Sequence, residues 1–389
     1  MHQEKASFSK LFEVRKPGIF FNIFRKIQII LQVGIILAIY VSGTIFIKEE
    51  NALTVPVEKL KWMYENMYKI RYYEDTMVEA YGEGKAPVFN IGAGPVPGEM
   101  HLATGQEPAA VGMCAHLIKE DTVTAPHRPH HHAIAKGVDL KKMTAEMFGK
   151  ETGLGKGKGG HMHLFDPEVK FSCGGIIAAG IPHAVGAALA AKKKKHDWVA
   201  VAFIGEGAAN QGAFHESVNL AALWKLPFII VVENNKYGIS VPQTASTSVP
   251  SNQLRASAYG IEGFHVKDND PVAMYEASEA AVKRARNGEG PAIIEIETDR
   301  YLGHFQGDPE LYRDENEVTM LRKNDPIQRL AKILTEEHGI SEEEISAMEA
   351  RAKQEVDEAY AFARESAYPA PEAALEDVFV RNTFRKELV

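Results

Sequence analysis

The most regular pattern of apolar and polar positions lies between residues 198 and 240. An apolar run over 198–204 stops at Gly205-Glu206-Gly207. A helix-period stretch comes next, with Phe214, Val218, Ala221 and Ala222 on one face. Pro227 then opens a second apolar run that ends at Glu233-Asn234-Asn235. Runs of this length, bounded by glycine-rich polar breaks, predict strand, loop, helix, strand. Such a unit sets both polar loops at the carboxyl ends of neighbouring parallel strands, the edge where open α/β sheets bind ligands. Elsewhere residues 55–83 predict a helix whose apolar stripe is Leu60, Met63, Met67, Ile70 and Tyr73. Residues 181–191 predict a small-residue helix and 291–298 another buried strand. Asp325-Pro326 and Ser341-Glu342-Glu343-Glu344 read as starts of peripheral or subunit-contact helices. The fold class is therefore α/β, a parallel sheet flanked by helices.

The first fifty residues do not share this pattern. Residues 27–47 carry no charge and are nearly all apolar, enough to cross a bilayer core of ~30 Å as one hydrophobic helix. Arg25-Lys26 and the earlier Lys5, Lys10, Arg15 and Lys16 would hold the N-terminus in the cytoplasm and send the chain beyond Lys48 across the membrane. A signal peptide fits less well, because the apolar run has no small-residue cleavage site after it. A membrane anchor, an organellar or export-like presequence and a non-native extension all remain open.

Composition narrows the function classes. The 389 residues carry a net charge of −8 with 25% charged side chains, neither a basic footprint for nucleic acid nor a disordered profile. Cys114 and Cys173 are too few for a disulfide framework or a thiolate zinc site.

Candidate chemistry sits in the loops. Glu206 offers a hard carboxylate, Asn235 a neutral carbonyl oxygen and the turn at Tyr237-Gly238 a backbone oxygen, a set suited to Mg²⁺ with diphosphate oxygens in its remaining positions. His101 stands at a loop-to-helix junction before Gly105-Gln106-Glu107. His127-Arg128-Pro129-His130-His131-His132 places four imidazoles in six residues, but contiguous histidines cannot all face one ion and no ligand-spaced carboxylate lies nearby in sequence. Arg128 is the better candidate there, since a planar guanidinium suits a diphosphate. The glycine-rich stretch 153–160 fails the phosphate-loop pattern GxxxxGK[ST] in every register, which excludes an ATPase of that class. His304 lies in a glycine-flanked loop beyond the strand at 291–298, within reach of a bound substrate.

The segment GEGAANQG followed by ENNKYGIS resembles the diphosphate-binding motif of thiamine-diphosphate enzymes, with Glu206 where many members have Asp. In wording it is similar to the alpha subunit of the 2-oxoacid dehydrogenases, pyruvate and acetoin dehydrogenases included, over about residues 55–369. The resemblance implies a thiamine-diphosphate-binding catalytic domain over 51–324, between the N-terminal basic segment and transmembrane helix at 1–50 and a C-terminal helical tail at 325–389. It implies thiamine diphosphate and Mg²⁺ as cofactors, with Glu206, Asn235 and Tyr237 on the metal. His127, Arg128, Gly175, Ile177, Glu206, Gly207, Ala208, Asn235, Tyr237 and His304 would surround the cofactor, and His101 and His304 would be catalytic. His163 matches a histidine at the active-site entrance.

Partners implied in the same way are a beta subunit, in an alpha2-beta2 heterotetramer, and a lipoyl-bearing acyltransferase. The expected reaction is oxidative decarboxylation of pyruvate with acyl transfer to lipoyl; acetoin dehydrogenase is the alternative, and His101 argues against branched-chain substrates. Phe305 comes directly after His304 and residues 300–313 contain no Ser, so kinase control of that loop is not expected. The catalytic domain is expected in the cytoplasm, with anchoring through 27–47 left open. Two readings from other classes remain: an inactive membrane-anchored scaffold with the same fold, and a histidine-cluster metalloprotein.

Overall fold

The computed structural model describes residues 37–41, 44–48, 55–86 and 89–378. Leu37–Val41 (β1) pairs antiparallel with Thr44–Lys48 (β2), Leu37 opposite Lys48 and Val41 opposite Thr44. This part of the expected membrane helix is therefore a strand pair, and the remainder of that span lies outside the described residues. The local reason is composition: Ile39, Tyr40, Val41, Ile45, Phe46 and Ile47 are β-branched or aromatic, residue types that fit a pleated strand better than a helix. Among the described residues no helix is long and apolar enough to cross a membrane. The chain divides into two compact units, 1–54 and 55–389, and the second carries the chemistry.

Its sheet comprises β3 (Thr122–Ala125), β4 (Phe165–Asp166), β5 (Phe171–Cys173), β6 (Ala200–Gly205), β7 (Phe228–Asn234), β10 (Glu262–Val266) and β11 (Ala292–Glu297). A short hairpin, β8 (Tyr237–Gly238) and β9 (Val241–Pro242), comes after β7. The order is β10-β11-β7-β6-β3-β5-β4, parallel throughout except where β4 meets β5. From β3 the chain steps to β5 on one side, then returns to β6 on the other side and continues to β7. The winding thus reverses between β3 and β6, leaving a crevice at their carboxyl ends.

Alternate residues of the central strands feed two separate cores, the two-residue period expected of a sheet covered on both faces. Val201, Phe203, Ile229, Val231 and Ile294 pack into one with the helices Val57–Gly82, Glu107–Cys114 and Pro271–Arg286. Ala202, Ile204, Ile230 and Val232 pack into the other with Gly180–Lys194 and Gly212–Leu223. The stripe Leu60, Met63, Met67, Ile70 and Tyr73 is buried as its spacing predicts, each side chain contributing roughly 1.5–3 kcal/mol. The helix Glu342–Glu365, capped by Ser341 Oγ accepting from Glu344 N at 3.2 Å, is not peripheral. Met348, Val356 and Ala363 enter the first core, and the Tyr360 hydroxyl donates to the Tyr73 carbonyl at 2.9 Å.

One glycine fixes how the site loops meet. Gly105 has φ +98°, and a Cβ there would collide with the Asp299 carbonyl, while Tyr301 N donates to the Thr104 carbonyl at 3.1 Å. The segment bearing His101 and the loop bearing His304 are stitched together at this point. Gly105→Ala is therefore expected to cost roughly 2 kcal/mol or more, from positive-φ strain plus a backbone clash, read as a lowered urea midpoint.

Candidate active site

The loops after β3, β5, β6, β7 and β11 converge at one edge of the sheet, because parallel strands all end there. They enclose a cavity of about 520 Å³. His127 and Arg128 come from the loop after β3, Gly175 and Ile177 from that after β5, and Glu206, Gly207 and Ala208 from that after β6. Asn235 and Tyr237 lie beyond β7, His304 beyond β11, and His101 enters from the segment before helix Glu107–Cys114. These eleven residues line this cavity, and His163, also singled out from the sequence, does not. A second cavity, about 550 Å³ and lined by Trp62, Cys114 and Lys136 among others, contains none of them.

The turn after β6 is held against the turn after β7. Gly205 is in register with Glu233, and a Cβ on Gly207 would lie only 3.7 Å from Gly238 Cα. Glu206 is 2% exposed, and its Oε1 has no hydrogen-bond partner among the described residues. Burial pushes its pKa up, opposed by the backbone N–H groups of Glu206 and Asn235. Asn235 Nδ2 donates to Gln106 Oε1 at 2.9 Å, and its Oδ1 accepts from Tyr237 N at 3.2 Å. The Tyr237 hydroxyl donates to Glu317 at 2.9 Å. An unsatisfied carboxylate oxygen beside a neutral amide oxygen is a hard-oxygen donor set, and a divalent cation would relieve the cost of burying it.

Across the cavity three imidazoles face one another. Ring centroids are 4.6 Å apart for His101 and His127, 4.9 Å for His101 and His304, and 5.3 Å for His127 and His304. His101 Nδ1 lies 3.0 Å from His161 Nε2. Burial first, then the Arg128 charge, lowers His127 to about 3 and His304 to about 4, and pushes His101 lower still. All three are thus neutral near pH 7. Arg128 donates to the Leu102 carbonyl and, at 2.9 Å, to the His304 carbonyl, so one guanidinium fixes the loops of both His101 and His304. Burial and the nearby Arg300 work against its charge, a burden that a bound anion would lift.

Several side chains differ from expectation. His163 is exposed and stays out of the cavity lining, whereas His161, two residues earlier, touches His101. The amides of Gly155, Gly157, Gly159 and Gly160 all donate to the Glu146 carboxylate, at 2.7, 2.9, 2.7 and 3.2 Å. The glycine-rich loop is therefore an anion nest already filled by an internal carboxylate. The histidine run splits: His130 Nδ1 meets Glu74 Oε2 at 3.0 Å, while His131 and His132 lie 2.7 and 3.2 Å from the two oxygens of Glu233. Burial raises the Glu233 carboxyl, but His132 and His131 outweigh it and hold it well below the usual range. A carboxylate does stand beside the histidines, from a strand distant in sequence. His161, Glu233 and Arg300 were missed; only Arg300 had a local signal, in its place beside Tyr301-Leu302-Gly303-His304.

Comparison with known proteins places this geometry in context. The family described as "Dehydrogenase E1 component" matches residues 91–372. The chain is 42% identical over 334 residues to the alpha subunit of acetoin:2,6-dichlorophenolindophenol oxidoreductase from Bacillus subtilis, covering 85% of this chain and 97% of that protein. It is 38% identical to the chloroplastic pyruvate dehydrogenase E1 component subunit alpha-3 of Arabidopsis thaliana, covering 85% of this chain and 76% of that protein. The pyruvate dehydrogenase E1 component subunit alpha of Rhizobium meliloti is 36% identical, over 79% of this chain and 86% of its own length. With its motif, its sheet edge and these matches in agreement, the chain belongs to the dehydrogenase E1 component family.

Proposed function

We propose that this chain is the alpha subunit of the thiamine-diphosphate-dependent first component of a 2-oxoacid dehydrogenase complex, acting on pyruvate and paired with a beta subunit. The observation that carries the reading is the unpartnered, buried Glu206 carboxylate oxygen, beside the Asn235 turn and on the cavity that Arg128 also lines. Acetoin is the second reading, favoured by the higher identity to the Bacillus subtilis protein. In both, a carbon–carbon bond next to a carbonyl is broken. With pyruvate, carbon dioxide leaves and the acyl group passes to a lipoyl disulfide on an acyltransferase, reducing it as the thioester forms.

When bound, thiamine diphosphate supplies the carbanion that such a cleavage needs. This chain's part is to hold and orient. Glu206, Asn235 and the Tyr237 backbone carbonyl would hold Mg²⁺, and Arg128 and His127 would donate to diphosphate oxygens. Gly207 and Ala208 would let backbone approach the diphosphate, and Gly175 and Ile177 would support the aminopyrimidine. His101 and His304 hold or move a proton at a cavity-facing ring nitrogen; for His101, an Nδ1–H donated to His161 leaves Nε2 as the free base. Ile176 and Ile239, 78% and 60% exposed where they border the cavity, suit cover by a beta subunit that excludes water.

Coexpressed with its beta subunit, the chain is expected to reduce an artificial acceptor with pyruvate only when thiamine diphosphate and Mg²⁺ are present. A higher kcat/KM for acetoin would move the substrate assignment, and turnover of neither would overturn it. Glu206→Gln should weaken calorimetrically measured cofactor binding by about 100-fold or more while leaving the melting temperature of the cofactor-free protein unchanged or raised, since the variant removes an uncompensated buried charge. A third expectation concerns acid. Because His127 and His304 sit near 3 and 4 when folded against 6.5 unfolded, the unfolded chain binds protons that the folded chain refuses. The contribution of these two rings to stability is therefore full above 6.5 and is lost as pH falls through about 4 for His304 and about 3 for His127. His304→Gln should flatten that slope in urea titrations.

A further inference from the structure

We propose that His101, His127 and His304 form a tetrahedral transition-metal site, taking Zn²⁺ when the cavity holds no diphosphate cofactor. The three rings come from three separate loops, and one nitrogen of each lies within 4.8 Å of the others. In a three-histidine zinc site with metal–nitrogen bonds of about 2.1 Å, ring centroids lie roughly 3.2 Å from the ion and about 5 Å from one another. The observed 4.6, 4.9 and 5.3 Å bracket that value, so the loops need little movement to close on an ion.

The chemistry of the rings agrees. Among the described residues neither His127 nor His304 has a hydrogen-bond partner for its ring nitrogens. His101 has one, His161 on Nδ1, and such an outer partner orients a ligating imidazole and raises its basicity. Burial keeps all three rings unprotonated, the state a metal requires. Arg128 and Arg300 oppose a dication, while Glu206 and Glu233 on the same cavity offset them. The two arginines also favour an anion, hydroxide or chloride, in the fourth position. The neighbouring group His131, His132 and Glu233 is a poorer candidate, because His131 Nε2 and Glu233 Oε1 already share a hydrogen bond of 2.7 Å and all three residues are buried.

The metal claim stands on this triad alone; only the exclusion by cofactor rests on the function proposed above, and the two are read separately. The test uses the full chain with its beta subunit, freed of thiamine diphosphate, and Co²⁺ as probe. One equivalent should give the intense visible absorption of four-coordinate cobalt, and Zn²⁺ should displace it. His127→Tyr and, as a second variant, His304→Gln should each weaken Co²⁺ binding by about tenfold or more, whereas Glu206→Gln and His132→Phe should keep the band. Only the faint spectrum of an octahedral ion, or a band that survives both triad variants, would overturn the site. So would a band lost specifically in Glu206→Gln or His132→Phe. Adding thiamine diphosphate and Mg²⁺ should bleach the band; persistence with cofactor bound overturns the exclusion.

Discussion

An ionisable oxygen buried with no partner is among the least favourable arrangements a protein interior can hold, and the organisation of this chain turns on one. Glu206 keeps such an oxygen at the end of β6, where the register of Gly205 with Glu233 presses its turn against that of Asn235 and Tyr237. The two cores on either face of the sheet stabilise this arrangement. Strands buried on both sides cannot slip by one residue without exchanging both sets of side chains, so the turns at their ends are held in place. The strain is thus local and its support is spread over the sheet.

The opposite wall obeys a similar logic with cations. Arg128 is 6% exposed, and it donates one N–H each to the carbonyls of Leu102 and His304. It therefore braces the loops of two candidate proton-transfer groups and adds to the burial that keeps the neighbouring imidazoles uncharged. Neutral rings can accept a proton and give it back, which a ring already protonated cannot do as a base. One wall thus holds an unpartnered carboxylate oxygen and the other a buried guanidinium, on a single cavity.

Much of this was legible in the sequence because it was local. The strands β6 and β7, the helix between them and the polar turns at their ends are contiguous in the chain, and the apolar period marks them directly. The glycine and histidine loops were found through short motifs. What stayed hidden was long-range pairing. His161 reaches His101 from 60 residues away and Glu233 reaches His131 from 102, and no period or spacing connects such positions. The strand pair of Leu37–Val41 with Thr44–Lys48 shows the opposite difficulty, since hydropathy alone does not separate a helix from paired strands where β-branched and aromatic residues predominate.

Glu146 carries a wider consequence. Its carboxylate occupies the four amides that a glycine-rich loop elsewhere would offer to a phosphate, so the loop is shaped by the chain itself and owes nothing to a guest. Free nucleotides find no docking cradle there. The loop thus takes its form from a side chain of the same chain.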